Sequence, residues 1–206
     1  MKKTPIKFIY FDVGGVLLNF VHAHKKVAAQ YNVPYESVLA VFENNWREEC
    51  RGNISPAQYM QLFADALGMT DVPADAGDFW SDHFLSVTPM HELARVLSAT
   101  HKVGILSNAG PGVLDHSLRK GHIPNIRWSA IIDSSRHGVI KPEEKIYEIA
   151  EKAAGVSPEE ILFIDDVPEN VAAATARGWQ GIVMDTSDPQ KTIERIKRGL
   201  IAEEVK

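Results

Sequence analysis

Four short segments carry the side chains that could do chemistry together. Asp12 closes the apolar run Ile6–Phe11 and stands two residues before Gly14-Gly15 in the sequence. Ser107-Asn108 follows Lys102–Leu106, and Asp165-Asp166 follows Ile161–Ile164. Lys141-Pro142 lies between the last two, at the start of a helical pattern. Singly, each has an ordinary reading: a turn aspartate, a loop with an N-cap, a solvated lysine. The acid pair is harder to dismiss, because adjacent carboxylates repel unless a cation or solvent relieves them. A hard divalent cation such as Mg²⁺ binds through one or two carboxylates together with waters and phosphate oxygens. Taken together, the parts meet the needs of phosphoryl transfer through an aspartate. A carboxylate attacks phosphorus, a divalent cation offsets the repulsion between two anions, and a lysine with a hydroxyl holds the equatorial oxygens.

The elements that must position these groups are legible from periodicity. Ile6–Phe11, Lys102–Leu106, Ala130–Ile132, Ile161–Ile164 and Gly181–Met184 read as buried strands. Helical patterns separate them: Glu143–Ala154 opened by Pro142, Pro168–Arg177 closed by Gly178, and Pro189–Val205 with Ile193, Ile196 and Leu200 on one face for docking on the core. Strand and helix alternating over Lys102–Lys206 predict an α/β fold with a doubly wound parallel sheet, which binds ligands at the carboxyl ends of its strands. The stretch from Asn19 to about Thr88 breaks the alternation. It reads as helices around His22–Gln30, Tyr35–Cys50, Ser55–Leu67 and Ala76–Leu85, with no strand between them. A small helical domain over 19–86 is therefore expected, inserted after the first strand into a core made of 1–18 and 87–206.

Composition narrows the classes. With 45% apolar residues there is ample material for a core, so bulk disorder is not expected. A net charge of −5 argues against a nucleic-acid-binding surface, which needs to be basic. The single Cys50 excludes an internal disulfide and a multi-cysteine zinc site. No apolar stretch is long enough to span a membrane. The start is basic, but its apolar run stops at Asp12, too early for a signal peptide. A cytoplasmic protein with an intact N-terminus is the expectation.

The run Phe11-Asp12-Val13-Gly14-Gly15-Val16-Leu17, then Ile105-Leu106-Ser107-Asn108, then Val139-Ile140-Lys141-Pro142, then Phe163-Ile164-Asp165-Asp166-Val167-Pro168-Glu169-Asn170 resembles the four ordered motifs of the haloacid dehalogenase (HAD) superfamily. The helical insert, with Arg51-Gly52-Asn53-Ile54-Ser55 opening one of its helices, resembles the cap of the branch that includes sugar-phosphate phosphatases and 2-haloacid dehalogenases. The resemblance implies a Rossmann-like core and a role at each position. Asp12 would be the nucleophile and a Mg²⁺ ligand, and Gly14 would offer the metal its backbone carbonyl. Ser107 and Asn108 would bind the phosphoryl group, and Lys141 would pair with Asp12 and the phosphate. Asp165 would bind the metal directly, Asp166 directly or through water, and Asn170 would support their loop.

One position departs from the family. Its phosphatases usually carry a second aspartate two residues after the nucleophile, as the acid and base for the leaving oxygen and water. Gly14 stands there instead. Three explanations compete: a substrate with a good leaving group, an acid or base from the insert with His22 and His24 nearest in sequence, or slow or absent turnover. Trp46 and Arg47 form an insert pair able to stack on a ring and grip an anion, although Trp46 also fits a helix core. Trp80, Trp128 and Trp179 read as packing residues. The expectation is a Mg²⁺-dependent hydrolase of a small phosphorylated metabolite, with a sugar phosphate favoured and no nucleic-acid or membrane partner. A metal-independent 2-haloacid dehalogenase is the alternative. A phosphorylation switch or a non-catalytic protein on the same scaffold are others.

Overall fold

A computed structural model describes residues 4–70, 72, 79–80 and 83–204, the last four by backbone alone. Five strands form one parallel sheet: β1 (Phe8–Phe11), β4 (Lys102–Ser107), β5 (Ala130–Asp133), β6 (Ile161–Asp165) and β7 (Gln180–Val183). Their order is β5-β4-β1-β6-β7, which places β1 at the centre. The central strands are continuous apolar runs because the sheet buries them on both faces. Residues alternate between two cores. Ile9, Phe11, Val103, Ile105, Leu162 and Ile164 point to one, and Phe8, Tyr10, Leu106, Ile161 and Phe163 to the other.

Helices cover both faces, as a doubly wound sheet requires. They are α4 (Thr88–Leu97), α5 (Val113–Arg119), α6 (Glu144–Ala154), α7 (Pro168–Ala176) and α8 (Pro189–Glu204). Helix α6 starts one residue later than its pattern suggests. Glu143 is its N-cap, and Pro142, joined to Lys141 by a cis peptide bond, precedes the helix rather than opening it. Strand β1 begins at Phe8 rather than Ile6, with the Lys7 amide bonding the Glu160 carbonyl just ahead of the paired run. Helix α8 docks on the core through Ile193 and Ile196, as expected.

Between β1 and α4 lie α1 (Phe20–Tyr31), α2 (Tyr35–Cys50) and α3 (Pro56–Leu67). Helix α3 has complete punctuation: Ser55 and Gln58 exchange a capping box, Pro56 opens the first turn, and Gly68 closes the helix at φ +66°. Of the expected helix over Ala76–Leu85, residues 76–78 and 81–82 lie outside the described residues. Its described part corrects the expectation, since Phe79–Trp80 are helical but Leu85 is not. A two-stranded ribbon brackets the helical region: β2 (Leu18–Asn19) pairs antiparallel with β3 (Leu85–Ser86). Two-residue strands are too short to leave a period in a sequence. The ribbon holds the entrance and exit of the helical segment side by side.

Candidate active site

The register of the sheet builds the site. Phe11 is level with Ile105 on β4 and with Ile164 on β6. One step further along the chain, Asp12 and Asp165 therefore emerge together at the carboxyl edge, with Ser107 closing β4 beside them. Lys141 is fully buried between the two acids, its Nζ 2.8 Å from Asp12 Oδ1 and 2.6 Å from Asp165 Oδ2. Its backbone is clamped by Asn108, whose Nδ2 donates to the Lys141 carbonyl at 3.0 Å while its Oδ1 accepts the Lys141 amide at 2.8 Å. Asn108 thus spends its side chain on placing the lysine. Asp165 is saturated: besides Lys141 it accepts the Val167 amide at 2.8 Å and Asn170 Nδ2 at 3.1 Å on each oxygen. Asn170 is buried and points at Asp165, not at solvent.

The other two acids keep free capacity. Asp12 Oδ1 accepts Lys141 and the Val13 amide, and no donor reaches Oδ2 among the described residues. Half-buried Asp166 receives no side-chain donor there either. It rests over Gly15, which has φ +69° and where any Cβ would collide with the Asp166 carboxyl. Asp12, Asp165 and Asp166 each offer an oxygen within 4.8 Å of the others. Three carboxylates face one lysine, and the charges show it. The Asp12 pKa is raised to about 7: burial raises it most, Lys141 pulls it down, and Asp165 and Asp166 push it up again. Burial lowers that of Lys141, and the carboxylates more than reverse it. The pocket is short of positive charge, and its donors are all oxygen. That is the requirement of a hard divalent cation, so the residues present fit Mg²⁺.

Above this rim opens a cavity of about 650 Å³ lined by Asp12, Gly14, Ser107, Asn108, Lys141 and Asp166 below and by α1–α3 above. Its upper walls are largely apolar and include Phe20, Leu39, Phe42, Trp46, Trp80 and Phe84. The insert candidates divide here. His24 is buried in the wall, against Phe42 and Trp80, and is no surface residue. Burial lowers its pKa to about 4, so the ring is neutral and no proton donor near neutral pH. His22, two residues earlier and on the other side of α1, is half-exposed and outside the lining. Trp46 is a half-buried lining residue stacked on Phe42, not a helix core residue, while Arg47 is exposed, 5.7 Å from the Trp46 ring centroid, and does not line the cavity. Trp179 is core, Trp128 is half-buried, and buried Trp80 doubles as cavity wall.

Three residues at this site escaped the sequence. A Cβ at Gly14 would meet the Phe20 ring at 2.6 and 2.9 Å, so the ring fills the place of a side chain at 14. Glu49 and Tyr59 line the cavity as buried polar groups. Tyr59 reads as one more apolar-face aromatic of α3. Glu49 had a signal: it follows Phe42 and Trp46 at helical spacing, a carboxyl on an otherwise apolar stripe.

The haloacid dehalogenase-like hydrolase profile matches residues 6–178 of the chain. Two curated relatives differ in chemistry. The chain is 26% identical over 185 residues to a sesquiterpene phosphatase of Aspergillus oryzae, covering 89% of this chain and 92% of that one. It is 30% identical over 194 residues to haloacetate dehalogenase H-2 of Moraxella sp. (strain B), covering 87% and 85%. Among solved structures, a HAD family enzyme of Bacteroides thetaiotaomicron in complex with magnesium and inorganic phosphate superposes with a TM-score of 0.71 at 22% identity, over 89% of this chain and 96% of that one.

Proposed function

The chain belongs to the haloacid dehalogenase-like hydrolases, and from that premise we propose that it is a Mg²⁺-dependent phosphatase acting through an aspartyl-phosphate on Asp12. The observation that carries this reading is the charge imbalance of the rim: three carboxylates against one lysine, with oxygens free on Asp12 and Asp166. A carboxylate displacing halide from carbon needs no second or third acid beside it. An enzyme bringing phosphate to a carboxylate needs the cation those acids would hold.

Asp12, Asp166 and the Gly14 carbonyl would hold the Mg²⁺, with Asp165 nearby but already committed to Lys141 and Asn170. Bound there, the cation would offset charge between the site and the incoming phosphate and orient the two. Asp12 attacks phosphorus through a carboxylate oxygen. Lys141 and Ser107 hold the phosphoryl oxygens as charge moves onto them. Asn108 fixes the lysine and Asn170 the Asp165 carboxylate, so neither charge must reorganise during transfer. The helical unit over 19–86 acts as a cap on the core of 1–18 and 87–206, excluding water from the intermediate.

The substrate body follows from the cap wall. A sugar would find few hydroxyl partners among Phe42, Trp46, Trp80 and Phe84, whereas an apolar alcohol would bury its surface there. The relative named a sesquiterpene phosphatase supports the same direction. A panel of phosphomonoesters assayed with and without Mg²⁺ tests the reading. Apolar alkyl and prenyl phosphates should be hydrolysed only with the metal and ahead of glucose phosphates. A sugar phosphate at the top of the panel would remove the substrate class, and no phosphate release from any ester would remove the function.

Dehalogenation remains the second reading, favoured by the haloacetate dehalogenase relative and by the lack of an acid at 14. Chloride release from chloroacetate in EDTA would establish it.

A further inference from the structure

Two polar side chains of the cavity lining are buried without a hydrogen-bond partner among the described residues, and the mechanism above uses neither. Glu49, in the last turn of α2, is 5% exposed, and its Oε1 has no hydrogen-bond partner among the described residues. Tyr59 of α3 is 1% exposed, and its hydroxyl is likewise without a partner among the described residues. It lies near enough for a Glu49 charge to hold the hydroxyl proton on, after burial itself. A buried polar atom left unbonded costs ~1–3 kcal/mol, so two together on one cavity wall need a reason.

Glu49 is also held in place. Gly110 leaves room for it, since a Cβ at that position would collide with the Glu49 carboxyl. The next residue along α2, Cys50, offers its carbonyl to Ser134 Oγ at 2.6 Å, and the same oxygen accepts the Ala109 amide at 3.1 Å. The end of α2 is therefore tied to the loop that continues from Ser107-Asn108, where the phosphoryl group would sit. Burial raises the Glu49 pKa to about 8, so it carries a proton at neutral pH. The groups facing it are the Tyr59 hydroxyl and its neighbour the Cys50 thiol, both of which stay protonated there.

Resting on the phosphatase reading, we propose that Glu49 is the acid and base of this hydrolase, reaching the leaving oxygen from α2 because Phe20 occupies the place where a side chain at 14 would act. In the first step an Asp12 oxygen bonds phosphorus while the phosphorus–ester oxygen bond breaks. The bonding pair stays on the ester oxygen, which takes the Glu49 proton and leaves as the alcohol. In the second step water attacks phosphorus and gives a proton to the Glu49 carboxylate. The Asp12–phosphorus bond breaks, restoring Asp12 and Glu49 and releasing inorganic phosphate.

Steady-state and burst kinetics of Glu49→Gln on a phenethyl ester and on 4-nitrophenyl phosphate test this. An alkoxide needs the proton and a nitrophenolate does not. For the alkyl ester kcat/KM should fall ~100-fold or more, whereas for 4-nitrophenyl phosphate it should change by less than about fivefold. The kcat for the nitrophenyl ester should nevertheless drop, with a burst of one nitrophenol per site, because the second step has lost its base. Should Glu49→Gln fail to fold, Gly110→Ala, which displaces the carboxyl, should give the same split. An active wild type whose variant loses both esters equally, or neither, overturns the role of Glu49 alone. A wild type inert on both esters with Mg²⁺ overturns the phosphatase reading and this role with it.

Discussion

Lys141 bonds two acids at once, and the acids differ in what they have left. Asp165 has every lone pair engaged, whereas Asp12 and Asp166 do not. Asp12→Asn should therefore cut turnover by ~10⁴-fold or more with an unchanged circular dichroism spectrum, since it removes the nucleophile but almost no volume. Asp166→Asn should raise the Mg²⁺ needed for half-activation by roughly 10- to 100-fold, read from a metal titration of rate. Glu49 makes a prediction about stability. Its pKa is near 8 folded and near 4.5 in a free chain, so between those values the unfolded chain loses a proton that the native one keeps. Stability from this group falls as pH rises through that window, by up to roughly 1.4 kcal/mol per pH unit. Glu49→Gln lacks the effect, so its melting point should gain on that of the wild type between pH 5 and 8 and level off above. The shifted groups Asp12 and His24 are present in both proteins and cancel in the difference.

At the level of elements, the end of α2 is pinned to the core twice. Cys50 is bound through Ser134, and Arg51 forms an ion pair with Glu143, the N-cap of α6. Ser134→Ala leaves the Cys50 carbonyl and the Ala109 amide unsatisfied, a cost of ~1–3 kcal/mol by denaturant titration, and should lower kcat/KM by loosening Glu49. The elements also show what the sequence could and could not reveal. The five core strands were readable because burial on both faces makes them continuous apolar runs, and the rim acids because each ends such a run. The β2–β3 ribbon was not, since two residues carry no period and their partners lie far apart in sequence. Trp80 reads as a packing residue, and Trp46 fits either role, because a cavity wall and a core draw on the same side chains. Only the fold shows which of the two an aromatic faces.

For the whole molecule, sheet order brings residues 12, 107, 141 and 165 from most of the chain's length to one edge. Ligands that bridge them should stabilise the native state as a unit. Mg²⁺ and inorganic phosphate added together should raise the melting temperature, by an amount equivalent to ~2.7 kcal/mol at 100-fold the dissociation constant, whereas phosphate alone should do little. Scanning fluorimetry would read this. The packing of Phe20 against Gly14 also bears on how such a site can change. An aspartate introduced at 14 meets the ring before it meets any substrate, and a smaller residue at 20 alone opens a hole with nothing to fill it. Either step by itself is harmful, so the two positions form an epistatic pair. A lineage or an engineer moving this scaffold between acid supplied from its own first loop and acid supplied from the lid must change both at once.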